Sequence, residues 1–119
     1  MTVGAVQGRL VLAVDPDLGF ADRVSTLLPD DRVVGARSIA EAAAIAESGS
    51  VDAALLGPSF GSEEGVGEAA ALRDSDRNLL TVLVADVPSN RLLRAALRSG
   101  LADVVDAPLS ARKLTDVMG

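Results

Sequence analysis

Five times along the chain a short apolar run gives way to apolar residues at helical spacing, the signature of alternating strands and helices folded into a parallel sheet covered on both faces. Leu10 to Val14 is the first run; Asp15-Pro16-Asp17 ends it, and Phe20, Val24, Leu27 and Leu28 then share one helical face with Asp17 placed as N-cap. Arg32 to Ala36 predicts the second strand. Behind it, Ser38 followed three residues later by Glu41 forms a capping box for a helix that runs to Ser48 and stops at Gly49. Ala53 to Leu56 predicts the third strand. Gly57 and Pro58 end it and open a glycine-rich, acidic loop to Gly65, read as flexible, before a helix over about Val66 to Arg73. Leu79 to Val84 predicts the fourth strand, leading through Asp86-Val87-Pro88 to a helix capped by Ser89 and ended by Gly100. Asp103 to Val105 is the fifth, followed by Ala107-Pro108 and a last helix capped by Ser110, with Leu114, Val117 and Met118 facing inward.

A sheet of this kind carries its functional loops at the carboxyl ends of its strands. The residues to weigh there are Asp15, Pro16, Asp17, Gly57, Ala85, Asp86, Asp106, Ala107 and Pro108. The pattern divides the chain into a tail over 1–8 and one domain over 9–118, with no internal repeat. A chain of 119 residues buries roughly two thirds of its unfolded surface, enough for one core.

Composition narrows the chemistry. Aromatic residues make up only 2%, so Phe20 and Phe60 are the sole rings and stacking platforms for bases or flavins are hard to assemble. Seventeen acidic against eleven basic residues leave a net charge of -6, which argues against nucleic acid and anionic lipid as direct partners. There is no cysteine and no histidine, which removes thiolate nucleophiles, zinc clusters and the usual general base. No enzyme activity is expected. The apolar run Leu10 to Val14 is too short for a signal core, and nothing approaches the roughly 18 apolar residues of a membrane span, so the expected location is cytoplasmic.

From about Arg9 to Met118 the order of these landmarks resembles the receiver domain of response regulators. The closest likeness is in Ala95-Ala96-Leu97-Arg98-Ser99-Gly100-Leu101-Ala102-Asp103-Val104-Val105 ahead of Ala107-Pro108-Leu109. The resemblance implies a flavodoxin-like (CheY-like) α/β fold, a five-stranded parallel sheet in the order 2-1-3-4-5. In receivers an aspartate after the third strand takes a phosphoryl group, and an acidic pair after the first strand holds magnesium. A Ser or Thr follows the fourth strand, and a lysine precedes the last proline. Metal and lysine charges are needed because a carboxylate nucleophile repels the incoming anion.

By that correspondence Gly57 stands at the acceptor, Ala107 at the lysine, Ala85 or Val84 at the hydroxyl, and Pro16 interrupts the acidic pair. Three apolar replacements at separate strand ends argue against phosphotransfer. Pro108 is a structural position: a cis bond before it is common among receivers, and a trans proline opening the last helix is the other reading.

Leu56-Gly57-Pro58-Ser59, Leu83-Val84-Ala85-Asp86-Val87 and Leu93-Arg94-Ala95-Ala96-Leu97-Arg98-Ser99-Gly100 are most similar to the amino-terminal domain of TadZ/CpaE-type pilus-assembly proteins. In that family a degenerate receiver precedes a MinD/ParA-like ATPase that helps to position the Flp (tight adherence) secretion machinery. The resemblance implies a protein-interaction and localisation module. The chain ends before any Walker motif, so such an ATPase would lie beyond residue 119. A receiver-like domain of another atypical response regulator, or a small-ligand or cation sensor using the acidic strand ends, are the alternatives.

Asp15 and Asp17, with Asp86 and Asp106 near by and no lysine or arginine adjacent in sequence, offer a start for a divalent cation site. Capping by Asp17 and solvated loop ends account for the same residues, and no cofactor is expected. Gly57, Gly61, Gly65 and Gly67 match neither a Walker motif nor a dinucleotide fingerprint. Arg91, Arg94 and Arg98 recur at helical spacing on the fourth helix, with Asp103, Asp106 and Asp116 farther on. That layout supports self-association through helix four, strand five and helix five, each arginine stripe meeting the partner's acids. A solvated helix face accounts for it equally.

Overall fold

The computed structural model describes residues 9–17, 19–48, 51–75, 79–86, 89–106 and 108–118. The elements run β1 (Leu10–Val14), α1 (Gly19–Leu27), β2 (Arg32–Ala36), α2 (Ile39–Ser48), β3 (Ala53–Leu56), a 3₁₀ turn (Pro58–Phe60), α3 (Glu63–Ser75), β4 (Leu80–Ala85), α4 (Asn90–Arg98), β5 (Asp103–Asp106) and α5 (Ala111–Met118). All strand pairs are parallel, as the alternation of runs implied, and the sheet order is β2-β1-β3-β4-β5, the flavodoxin-like arrangement that the receiver resemblance implied. The tail 1–8, Gly49, Val87, Pro88 and Ala107 lie outside the described residues, as does the side chain of Met118.

The sheet separates two apolar layers because successive strand residues point to opposite faces. Leu12, Val14, Ala54, Leu56, Leu83 and Ala85 pack against α2, α3 and α4. Val11, Ala13, Leu55, Val82 and Val84 pack against Phe20 and Val24 of α1 and Leu114 of α5. Central strands β1 and β3 are buried on both faces, which is why they read as unbroken apolar runs rather than alternating ones.

Serines start α2, α3, α4 and α5. Ser38 Oγ accepts from the Glu41 amide at 3.1 Å, while Glu41 Oε1 reaches back to the Arg37 amide at 3.3 Å, one residue upstream of the reciprocal bond of a capping box. Ser89 Oγ accepts from Leu92 and Ser110 Oγ from Lys113, each at 3.1 Å. After α4, Gly100 adopts φ +80°, and a Cβ there would lie 3.0 Å from the Arg73 guanidinium carbon. Ser89→Ala is expected to cost about 1 kcal/mol in urea unfolding, the scale of one lost N-cap acceptor.

The segment Gly57 to Gly65 departs from its reading as a flexible loop. Pro58 opens the 3₁₀ turn, Phe60 is buried, and α3 begins at Glu63, three residues earlier than expected. Ser62 Oγ caps it through the Gly65 amide at 3.1 Å, and Glu63 and Glu64 in the first turn favour the helix dipole. Gly65 is buried against Phe60, whose carbonyl a Cβ at this position would overlap. Close packing, not flexibility, explains that glycine.

Candidate functional site

The parallel register brings the ends of β1 and β3 together. Val14 pairs with Leu56, so the next residues, Asp15 and Gly57, meet side by side at the carboxyl edge of the sheet. The Gly57 amide donates to the Val14 carbonyl at 2.8 Å and the Asp15 amide to the Ala36 carbonyl at 2.9 Å, so both backbones continue their ladders one step past the strands.

Asp15 is only 3% exposed, a rare position for a carboxylate. Its Oδ1 accepts from the Asp17 amide at 2.8 Å and from Ser59 Oγ at 3.0 Å; its Oδ2 accepts from the Ser59 amide at 3.1 Å. Three of its roughly four acceptor positions are thus taken by the chain itself. The carboxylate fastens the turn after β1 to the 3₁₀ turn after β3, across 44 residues of sequence. Ser59 was not among the residues singled out from the sequence. Its only local signal is a serine behind Gly57-Pro58, and nothing local names its partner.

Gly57 is where that arrangement leaves no room. A Cβ on Gly57 would lie 2.9 Å from both Cβ and Cγ of Asp15 and closer still to Oδ2. The backbone itself is ordinary, with φ -75° and ψ 179°, so the glycine answers to a close approach and not to a strained conformation. The place where the receiver resemblance puts a reactive aspartate is filled by the carboxylate of Asp15.

The other strand ends are placed as follows. Val84 and Ala85 are both buried, one in each apolar layer. Asp17 is exposed; its Oδ1 accepts from the Gly19 amide at 3.0 Å, the cap-like role, and Arg23 lies 3.9 Å from its Oδ2. Asp106 is 3.5 Å from Lys113 Nζ, which also donates to the carbonyls of Asp106 and Pro108 at 3.0 Å. Lys113 is therefore a clamp on the turn between β5 and α5. Asp15 and Asp17 share one backbone contact but do not aim at a common point, and among the described residues no three His, Cys, Asp or Glu side chains are grouped to hold a metal. Of the acids that lacked basic neighbours in sequence, Asp17 and Asp106 have them in space, because α1 returns Arg23 to the first and α5 returns Lys113 to the second. Pro108 sits in a bend ahead of α5, which begins at Ala111; the Ala107–Pro108 peptide lies outside the described residues.

Of the surface charges on α4 and β5, Arg91 is 3.4 Å from Glu63 of α3 and Asp106 is held by Lys113. Arg94 and Arg98 are exposed and make no ion pair among the described residues; Asp103 and Asp116 are exposed as well. The sequence pattern did not single out the leucines beside them. Leu97 is 72% exposed and Leu93 is 36% exposed, and both border a shallow groove with Leu101, Asp103 and Val104. A larger cleft of about 510 Å³ opens on the other face of the sheet, between α1, Pro58, the end of β4 and Leu109.

No family model matches the chain, and no curated protein matches it. Solved structures do. A response regulator from Thermotoga maritima superposes with a TM-score of 0.82 at 15% identity, covering 93% of this chain and 98% of that one. The CheX–CheY complex with beryllofluoride and magnesium from Borrelia burgdorferi gives 0.80 at 16% identity over 93% of this chain and 87% of the matched one. A pilus assembly-related protein from Burkholderia pseudomallei gives 0.77 at 22% identity over 98% and 92%. With the strand order β2-β1-β3-β4-β5 and a helix after each strand, these likenesses give the chain the CheY-like fold of response-regulator receiver domains.

Proposed function

We propose that this chain is a receiver-fold interaction and localisation module that does not accept phosphate, of the kind found at the amino terminus of TadZ/CpaE-type Flp pilus-assembly proteins. The observation that carries the reading is the closed acceptor position: Gly57 abuts Asp15, whose carboxylate is held by Ser59 and Asp17. A phosphoryl switch needs a nucleophile and a metal-binding carboxylate that is free to take an ion, and here one is missing and the other is occupied. The likeness to the Burkholderia pilus assembly-related protein supports the assignment to pilus assembly.

Work in this reading is done by the surface. The face built by α4 and β5 presents Leu93, Leu97, Arg94 and Arg98 to a protein partner, with no need for a covalent signal. No described helix is long and apolar enough to cross a membrane, and the proposed site of action is the cytoplasm. Incubation with acetyl phosphate, or with beryllofluoride and magnesium, is expected to leave the mass and the amide spectrum unchanged. A stoichiometric adduct or a saturating spectral shift would overturn the proposal.

A further inference from the structure

Two surface features remain unexplained by folding. The first is the apolar knob on α4. Leu93 and Leu97 are one helical turn apart, so they stand together on the surface, and Leu97 is 72% exposed where a core-facing leucine would be covered. Arg94 and Arg98 flank them without an ion pair among the described residues.

The second is the cleft beside α1. Its walls are Phe20, Leu27, Pro58, Val84 and Leu109, and the acids Asp22 and Asp86 stand on its rim. Both acids are exposed and make no ion pair among the described residues. Among the described residues the cation on the rim is Arg23, 6.0 Å from the centre of the Phe20 ring and 3.9 Å from Asp17, an opposite charge beside it.

We propose that α4 of one copy docks in this cleft on a second copy, with Leu93 and Leu97 entering it and Arg94 and Arg98 meeting Asp22 and Asp86. The inference rests on the reading of α4 as the recognition surface and names its partner. Charge and polarity are complementary: an apolar pair beside exposed cations fits an apolar cleft rimmed by exposed acids, in a protein whose net charge of -6 otherwise opposes self-association. The two surfaces lie on opposite faces of the sheet, since α4 packs on one apolar layer and α1 on the other. A single chain therefore cannot satisfy its own cleft. The contact is head-to-tail and leaves a free knob and a free cleft at the ends, so it propagates into a row of copies or closes into a ring, unlike a two-fold pairing of α4 faces.

Sedimentation velocity at rising protein concentration tests this. The wild-type chain is expected to grow beyond a dimer, with growth weakened by salt. Leu97→Glu alone, and Asp22→Arg combined with Asp86→Arg alone, are each expected to weaken association by about 30-fold or more. Because one variant keeps an intact cleft and the other an intact knob, mixing them is expected to give a 1:1 dimer that grows no further. All three positions are exposed, and circular dichroism should show unchanged folding. If the cleft variant associates like wild type while Leu97→Glu does not, the head-to-tail contact is overturned and α4 recognition stands. If Leu97→Glu changes nothing, both fall. A wild-type chain that stays monomeric at the highest concentrations overturns the contact.

Discussion

Gly57→Asp is expected to destabilise the domain by about 4 kcal/mol and to remain unphosphorylated, a large share of the roughly 5–15 kcal/mol typical of such domains. Overpacking a buried site costs about 1–3 kcal/mol, and here the new Cβ meets Asp15 Cβ and Cγ at 2.9 Å, atoms close to the backbone that cannot swing aside like the tip of a long side chain. The second carboxylate adds a like charge beside a buried one. Gly57→Ala separates the two causes: it keeps the clash and removes the charge, so it should cost about 2 kcal/mol. In an Asp15→Gly background the cost of Gly57→Ala should fall below about 1 kcal/mol, because the atoms it strikes are gone. Urea unfolding of the four proteins measures the coupling. Equal costs in both backgrounds would mean that something other than Asp15 closes the acceptor position. Phosphorylation of Gly57→Asp by acetyl phosphate would show that Asp15 can be turned from its bonds to serve a metal.

Asp15→Ala should itself cost about 3 kcal/mol. It removes the acceptor of the Asp17 amide, the Ser59 amide and Ser59 Oγ at once, and bonds to an ionised acceptor are the stronger kind. Ser59→Ala gives the comparison: one bond lost, the backbone bond kept, and about 1 kcal/mol expected. Hydrogen exchange at the Ser59 amide should accelerate in Asp15→Ala and change little in Ser59→Ala. A neutral Asp15→Ala would make the carboxylate a remnant with no structural role, and the closed site would then need another cause.

By the receiver correspondence an acid at this place holds magnesium; in this chain the Asp15 carboxylate accepts from the Asp17 amide, the Ser59 amide and Ser59 Oγ. The glycine at 57 and the held acid at 15 are one steric arrangement, because the carboxylate fills the space a side chain at residue 57 would need.

Local signals were enough for most of the architecture. The bounds of β1 and β3 follow from unbroken apolar runs stopped by Asp-Pro or Gly-Pro, β2 from the shorter Val33-Val34 pair within Arg32 to Ala36, and the caps of α2, α4 and α5 from serines three residues ahead of the amides they accept. The start of α3 was hidden. Gly61 and Gly65 read as a loop, yet Ser62, Glu63 and Glu64 form a cap and an acidic first turn, a signal present in the sequence and outweighed by a glycine, Gly65, whose reason is its packing on Phe60.

What the chain determines by itself is the set of residues at the carboxyl edge: no nucleophile at 57, no hydroxyl at 84 or 85, and an acid at 15. Only the folded chain decides what that edge does. Asp15 and Ser59 are 44 residues apart, Asp106 and Lys113 belong to different elements, and the knob and the cleft sit on opposite faces. Periodicity is a property of neighbours along the chain, whereas a bond, a clash or a shared cleft depends on sheet register, which first exists when β1, β3, β4 and β5 are paired.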